Sequence, residues 1–387
     1  MDFGFSKEQE MIRKEMRHFC KKELTKDYIQ WMDENVDFPP AELWDKFADL
    51  GFFSATVPRE YGGDGISMVD AMVMFEEICK ASMSVALAIG TTTGFGTRTI
   101  AELGTKAQKE TYLPKLAQGK LKMCMALTEP GGGTDILGAM TTTAVEKEGR
   151  WIINGEKVFI TAAHVSDFMV TICRTETDAK PPESLSVFLV PSRSPGITIT
   201  RIPKISCHHC DSVGITFADV EVPAENLLGH RGSGWYEMLA TLNPERIGCA
   251  LMGVGLMAAA YEDAFAYAKE RQAFGGPIAR FQILQHYLAD MYIHLENARN
   301  LTYKSAWLCD QGRPYHLEAT MAKLVASEGA LFAGRFGAEI MGGYGICSEY
   351  PMQRYLRDAY QLQFSPISNE MSKNMLMQFQ GLPKSWA

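Results

Sequence analysis

Residues 127–135 read Leu127-Thr128-Glu129-Pro130-Gly131-Gly132-Gly133-Thr134-Asp135. Pro130 and the three glycines force a turn, and hydroxyls at Thr128 and Thr134 flank it. Glycines let a backbone approach a flat ligand closely, and the hydroxyls can bond its polar edge. On its own the segment fits a phosphate cradle, a cofactor contact or a plain connector.

Three more constellations could do chemistry. Phe159 and Thr161 could stack on an aromatic ligand and bond a ring nitrogen; they also fit a strand that alternates core and surface. Arg271, in Arg271-Gln272-Ala273-Phe274-Gly275, offers the fixed fork of donors that suits a diphosphate. Glu245, in Asn243-Pro244-Glu245-Arg246, could act as a general base if a dry pocket raises its pKa. The same residues suit a helix start, with Asn as cap, Pro in the first turn and an acid next, where the dipole would lower that pKa. Cys207-His208-His209-Cys210 has metal-ligand types, but zinc needs four ligands and no second pair is near. A surface loop of the β region without a metal is expected there.

The net charge of −8 and the lack of a basic run speak against nucleic acid as a partner. Nine cysteines, an odd number scattered along 387 residues, do not form a disulfide framework. The first residues lack a basic-then-apolar leader. No apolar run approaches the ~18 residues of a membrane span. The expected setting is a reducing cytoplasm.

The elements that must position these residues fall into three blocks. Residues 1–120 read as helices: Ser6 ahead of Glu8-Gln9-Glu10 suggests a capping box, Pro39-Pro40 opens a helix over 41–50 that Gly51 stops, another spans about 68–82, and Gly104 and Pro114 punctuate the rest. Residues 121–230 alternate with short period, with strands expected at 151–153, 158–161, 168–172, 185–190, 197–202 and 214–220 and a tight hairpin at Asn154-Gly155. Residues 231–387 return to long helices at about 244–271, 281–311, 318–341 and beyond Asn369, a bundle pattern. The expected fold class is α+β: a helical domain, an antiparallel β domain and a four-helix bundle.

Four motifs now stand in register: the 127–135 turn, Asn154 through Thr161, Arg271 to Gly275 with Gln282, and Gly342-Gly343-Tyr344-Gly345 with Arg357-Asp358. Together they resemble the acyl-CoA dehydrogenase family along essentially the whole chain. Details such as Tyr261-Glu262-Asp263-Ala264 and Asn369-Glu370-Met371 are similar to bacterial crotonobetainyl-CoA-reductase-like members. The resemblance implies FAD held by Met125, Leu127, Thr128, Gly133, Thr134, Phe159, Thr161, Arg271, Phe274, Gln282, Glu339, Gly342, Gly343, Ser368 and Glu370. Of these, Arg271, Phe274, Gln282, Gly342 and Gly343 would reach the FAD of a neighbouring subunit, which implies a homotetramer. Thr134, Arg246, Thr91, Ser365 and Pro366 would line the acyl-CoA.

The implied reaction passes an α-proton to a carboxylate and a β-hydride to the flavin, with electrons going on to an electron-transfer flavoprotein. Many members carry the base where this chain has Pro366; isovaleryl- and long-chain-type members carry it at the position of Glu245, which is the expected base, with Glu370 the alternative. Proline also lacks the N–H that the family uses there to polarise the thioester carbonyl. Enoyl-CoA reduction by the reverse reaction, an oxidase, and a non-catalytic flavin-bearing protein are the other readings. Thr91, Thr92, Thr93 and Ser365 suggest polar lining for a short polar, branched or cyclic acyl group.

Overall fold

The computed structural model describes residues 4–384. The first helix, α1 (Lys7–Glu23), starts where Ser6 Oγ accepts from Gln9 N and the Gln9 side chain accepts from Ser6 N, a complete capping box. Helices α2 (Lys26–Asn35) and α3 (Ala41–Asp49) follow, the latter entered from Pro40 and closed by Gly51 at φ 78°. Then come α4 (Met68–Ala81) and α5 (Met83–Gly90), a π-helical stretch Thr91–Thr97, α6 (Arg98–Leu103) and α7 (Lys106–Ala117). Pro114 does not end a helix but lies inside α7.

The middle of the chain forms one eight-stranded sheet: β1 (Met123–Ala126), β2 (Thr143–Lys147), β3 (Arg150–Thr161), β4 (Phe168–Arg174), β5 (Leu185–Pro191), β6 (Ile197–Arg201), β7 (Ser212–Pro223) and β8 (Leu227–Leu228). A one-turn helix, α8 (Ile136–Ala139), lies between β1 and β2. The order is β6-β7-β3-β2-β4-β5-β8, with β1 against β4. The pairing is antiparallel except for β1 beside β4 and one pair between β2 and β4. Sequence pattern missed β1, β2 and the two-residue β8.

The hairpin at Asn154-Gly155 is not there. The turn lies six residues earlier, at Glu148 and Gly149, whose φ of 51° and 74° join β2 to β3 in a two-residue loop of the I′ kind. Residues 154 and 155 instead make a bulge within β3 against β7. Gly155 has φ 145°, and a Cβ on it would come within 2.5 Å of Thr142 Oγ1. Asn154 Nδ2 donates to Asp219 Oδ1 at 3.0 Å and Asp219 N donates back to Asn154 Oδ1 at 2.8 Å. Of the pair only Gly155 takes a positive φ, and it serves the bulge.

Four long or medium helices complete the chain: α9 (Gly234–Glu270), α10 (Gln282–Asp310), α11 (His316–Met341) and α12 (Met352–Gln361), then α13 (Asn369–Phe379). α9 has 37 residues and begins ten residues before Pro244, so Asn243-Pro244-Glu245 lies inside a helix and not at its start. It is long and apolar enough to cross a membrane by composition, yet 67% of that apolar window is buried as the central helix of the bundle. The hydrophobic cluster of α9–α12 is continuous with that of α1–α4, whereas the sheet has its own cluster around Trp151, Phe188 and Phe217.

The Cys207–Cys210 segment is not a surface loop. Cys207, His209 and Cys210 are fully buried. Cys207 N donates to Asp358 Oδ1 at 2.7 Å, and His209 Nε2 is hydrogen-bonded to Ser82 Oγ at 2.9 Å. Arg357 binds Asp33 at 2.6 Å and the Ile205 carbonyl at 2.7 Å. Burial opposes ionisation of Asp33, but His209 and Arg357 outweigh it and hold its carboxyl well below the usual range. The segment clips the sheet to α2, the end of α4 and α12. Among the described residues no cluster of three or more His, Cys, Asp or Glu could hold a metal.

Candidate active site

The turn at 127–135 is fixed from below by a buried ion pair. Lys157 Nζ donates to Glu129 Oε1 at 2.8 Å and to the Leu127 carbonyl at 3.0 Å. The Glu129 carboxylate also accepts from Thr141 N (2.6 Å), Thr141 Oγ1 (2.7 Å) and Thr142 N (3.0 Å). Burial would raise its pKa, but Lys157 and these donors overcome it and bring it down to about 2. Val158 N donates to the Thr128 carbonyl at 2.9 Å, which lays the turn along β3 beside Phe159. Met125 is buried in β1, Leu127 is half-buried, and Gly133 and Thr134 are exposed. Sequence reading missed the Glu129–Lys157 tie, although a lysine at an inward position of an alternating strand was a usable signal.

Phe159 is 64% exposed and has φ 58°. A second bulge between Lys157 and Ile160 forces that conformation, which costs a non-glycine residue about 1–3 kcal/mol. Thr161 Oγ1 lies 3.4 Å from Ser212 Oγ. A strained aromatic turned into solvent beside an open glycine turn fits a flat ring system that would cover it.

A second group gathers on the bundle. Tyr267, Arg271, Ile278, Glu339, Gly342, Gly343, Tyr344 and Cys347 line a cavity of about 540 Å³. Arg271 stands 5.8 Å over the Tyr344 ring and, among the described residues, makes no ion pair. Gly342 has φ 60°, and an added Cβ on it or on Gly343 would meet open space. Phe274 is 94% exposed, Gln282 is the exposed first residue of α10, and Glu339 is bound to Arg335 at 3.0 Å. An unpaired guanidinium beside bare backbone and an uncovered ring fits a diphosphate joined to an adenine. Neither Thr128 nor Phe159 lines this cavity.

Glu245 projects from the middle of α9 and is half-buried. The protein around it pushes its carboxyl up to about 8, with Arg246 pulling the other way. The mid-helix placement removes the helix-start dipole that would have opposed this. Arg246 donates to Asn243 Oδ1 at 2.7 Å. Glu370, by contrast, is exposed in the first turn of α13, whose N-cap is Ser368. Ser365 and Pro366 lie half-buried in the loop between α12 and α13, joined by a cis peptide.

The threonines beyond α5 spend their hydroxyl hydrogens on backbone carbonyls. Thr91 Oγ1 donates to the Ala88 carbonyl at 2.8 Å, Thr92 bonds the Met123 backbone, and Thr93 donates to the Ile89 carbonyl at 3.1 Å. Towards a ligand Thr91 and Thr93 could therefore act only as acceptors.

Fold and site together define a flavin-dependent oxidoreductase with a helical, β and helical-bundle arrangement. Family models for the acyl-CoA dehydrogenase N-terminal, middle and C-terminal domains match residues 6–120, 124–220 and 232–379. A probable acyl-CoA dehydrogenase of Bacillus subtilis is 36% identical over 374 residues, covering 96% of this chain and 98% of the relative. The caffeyl-CoA reductase–Etf complex subunit CarC of Acetobacterium woodii is 36% identical over 355 residues, covering 92% and 93%. The structure of a glutaryl-coenzyme A dehydrogenase in complex with glutaryl-CoA superposes with a TM-score of 0.95 at 34% identity, covering 99% of this chain and 98% of that one. The chain belongs to the acyl-CoA dehydrogenase family, and its cofactor is FAD.

Proposed function

We propose that the chain catalyses α,β-dehydrogenation of an acyl-CoA thioester with Glu245 as the base that takes the α-proton. The observation that carries this assignment is a carboxyl raised to about 8 on a rigid helix, while the alternative position is Pro366 and Glu370 is solvated. A base with a pKa near the working pH balances availability against proton affinity. FAD, when bound, supplies the two-electron acceptor for the β-hydrogen. Thr128, Thr134, Phe159 and Thr161 would face its ring, with Met125, Leu127 and Gly133 shaping that wall. Arg271, Phe274, Gln282, Glu339, Gly342 and Gly343 would hold the diphosphate and adenine of a neighbouring subunit's FAD, which supports a homotetramer. Ser368 and Glu370 would close the cofactor edge, and Arg246 the CoA side.

The electron acceptor in this reading is an electron-transfer flavoprotein. Nine free thiols suit a reducing cytoplasm. A second reading, enoyl-CoA reduction by the reverse reaction, is favoured by the similarity to a caffeyl-CoA reductase subunit. The test of the base is Glu245→Gln: FAD content should stay at the wild-type level while bleaching by a panel of CoA thioesters disappears. Bleaching at an undiminished rate would refute the assignment.

A further inference from the structure

Lys323 is a buried cation that the reading above does not use. It sits on α11, 1% exposed, and donates from Nζ to the Ile367 carbonyl at 2.6 Å and to Asn369 Oδ1 at 2.8 Å. Ser327, one turn further along α11, donates to the same Asn369 oxygen at 2.8 Å. Asn369 in turn closes the loop on itself: its N donates to the Gln363 carbonyl at 2.9 Å and its Nδ2 to Gln363 Oε1 at 3.0 Å. The loop from Gln363 to Asn369 is therefore anchored to α11 through a buried polar network, and it carries Pro366.

The anchor has a directional consequence. In a trans peptide the C=O and N–H point in opposite directions, and the only cis bond among the described residues is Ser365–Pro366. With its carbonyl drawn onto Lys323, the Ile367–Ser368 peptide turns its N–H away from α11. Among the described residues no group accepts from Ser368 N, whereas Ser368 Oγ is occupied as the N-cap of α13. We infer that Lys323 is a positioning residue for the reaction: it pins the Ile367–Ser368 peptide so that the Ser368 N–H serves the thioester carbonyl in place of the N–H that Pro366 lacks. Burying an ammonium costs several kcal/mol unless its donors are satisfied, and an apolar side chain would fill the same space without that cost. The network is thus difficult to explain as packing alone.

This inference rests on the thioester reading, and the experiment separates the two. Acetyl-CoA has no β-carbon to oxidise, so its carbonyl stretch can be followed by infrared difference spectroscopy on the FAD-loaded protein. Wild type should lower that frequency relative to free acetyl-CoA, and Lys323→Met should lose roughly half or more of the shift while keeping its FAD. Ser327→Ala, which leaves the ammonium in place, should lose less in the same direction and serves if the methionine variant does not fold. An unchanged stretch in either folded variant, with only the melting temperature lowered, would overturn the proposal. Wild-type protein that shows no bound acetyl-CoA band would overturn the thioester reading with it.

Discussion

Glu245 should govern both rate and stability, in opposite directions. With its carboxyl at about 8, only about one molecule in eleven carries the carboxylate at pH 7 in the free protein. Below pH 8 the value of kcat/KM for FAD reduction should fall about tenfold per pH unit. Lys323, brought down to about 8 by burial, loses its proton in the same window, so the plateau above pH 8 should be short. For stability, a carboxylic acid whose folded pKa lies above its unfolded value binds more protons folded than unfolded between the two. Its contribution therefore falls as pH rises from about 4.5 to about 8. Glu245→Gln removes that loss, so its melting temperature should exceed wild type by a margin that is near zero at pH 4.5 and grows up to pH 8. Stopped-flow bleaching under anaerobic conditions and thermal melts across this range test the two limbs. A rate that is flat from pH 6 to 8, together with a variant no more stable than wild type at pH 8, would refute the burial argument.

Three further outcomes follow from the site. Lys157→Met leaves the Glu129 carboxylate buried without its cation and should destabilise the protein by about 3 kcal/mol; denaturant unfolding measures it, and FAD retention should fall as well. Phe159→Gly relieves a φ of 58° at an exposed position, so FAD-free protein should melt no lower than wild type while fluorescence titration shows weaker FAD binding. Arg271→Lys keeps the charge and loses the fork, so FAD content after gel filtration should drop although the oligomeric state, measured by light scattering, does not change; full FAD retention would contradict a diphosphate role.

The order of helical, β and helical blocks was legible because hydrophobic period changes from 3.6 to 2 and back. The gaps have local causes. β1 (Met-Cys-Met-Ala) is buried on both faces and does not alternate, so it carries no period-2 signal. Asn154-Gly155 advertises positive φ, and a bulge uses that as readily as a turn. Pro244 reads as a helix start because Pro in the first turn is the common case; nothing local in the sequence reveals the ten residues of helix before it. The site was legible where backbone must be bare or flexible, as at the 127–135 turn and Gly342-Gly343. It was illegible where side chains act from beneath, since Lys157 and Lys323 gain their roles only from partners 28 and 44 residues away.

With Glu245 on α9 as the proposed base, the loop between α12 and α13 takes on a different task. A base on a loop has to be both reactive and held still; on a helix packed against α10 and α11 the carboxylate inherits its position from the core. The loop then needs no acid, and its remaining task is to present a donor to the thioester. Pro366 removes one such donor, yet the loop is held by one of the few buried lysines in the protein. A loop with no polar duty could be held as well by an apolar side chain, which carries no desolvation cost. The proline and the lysine are therefore best understood together: one deletes the family's usual N–H, and the other fixes the next peptide but one so that its N–H can act instead.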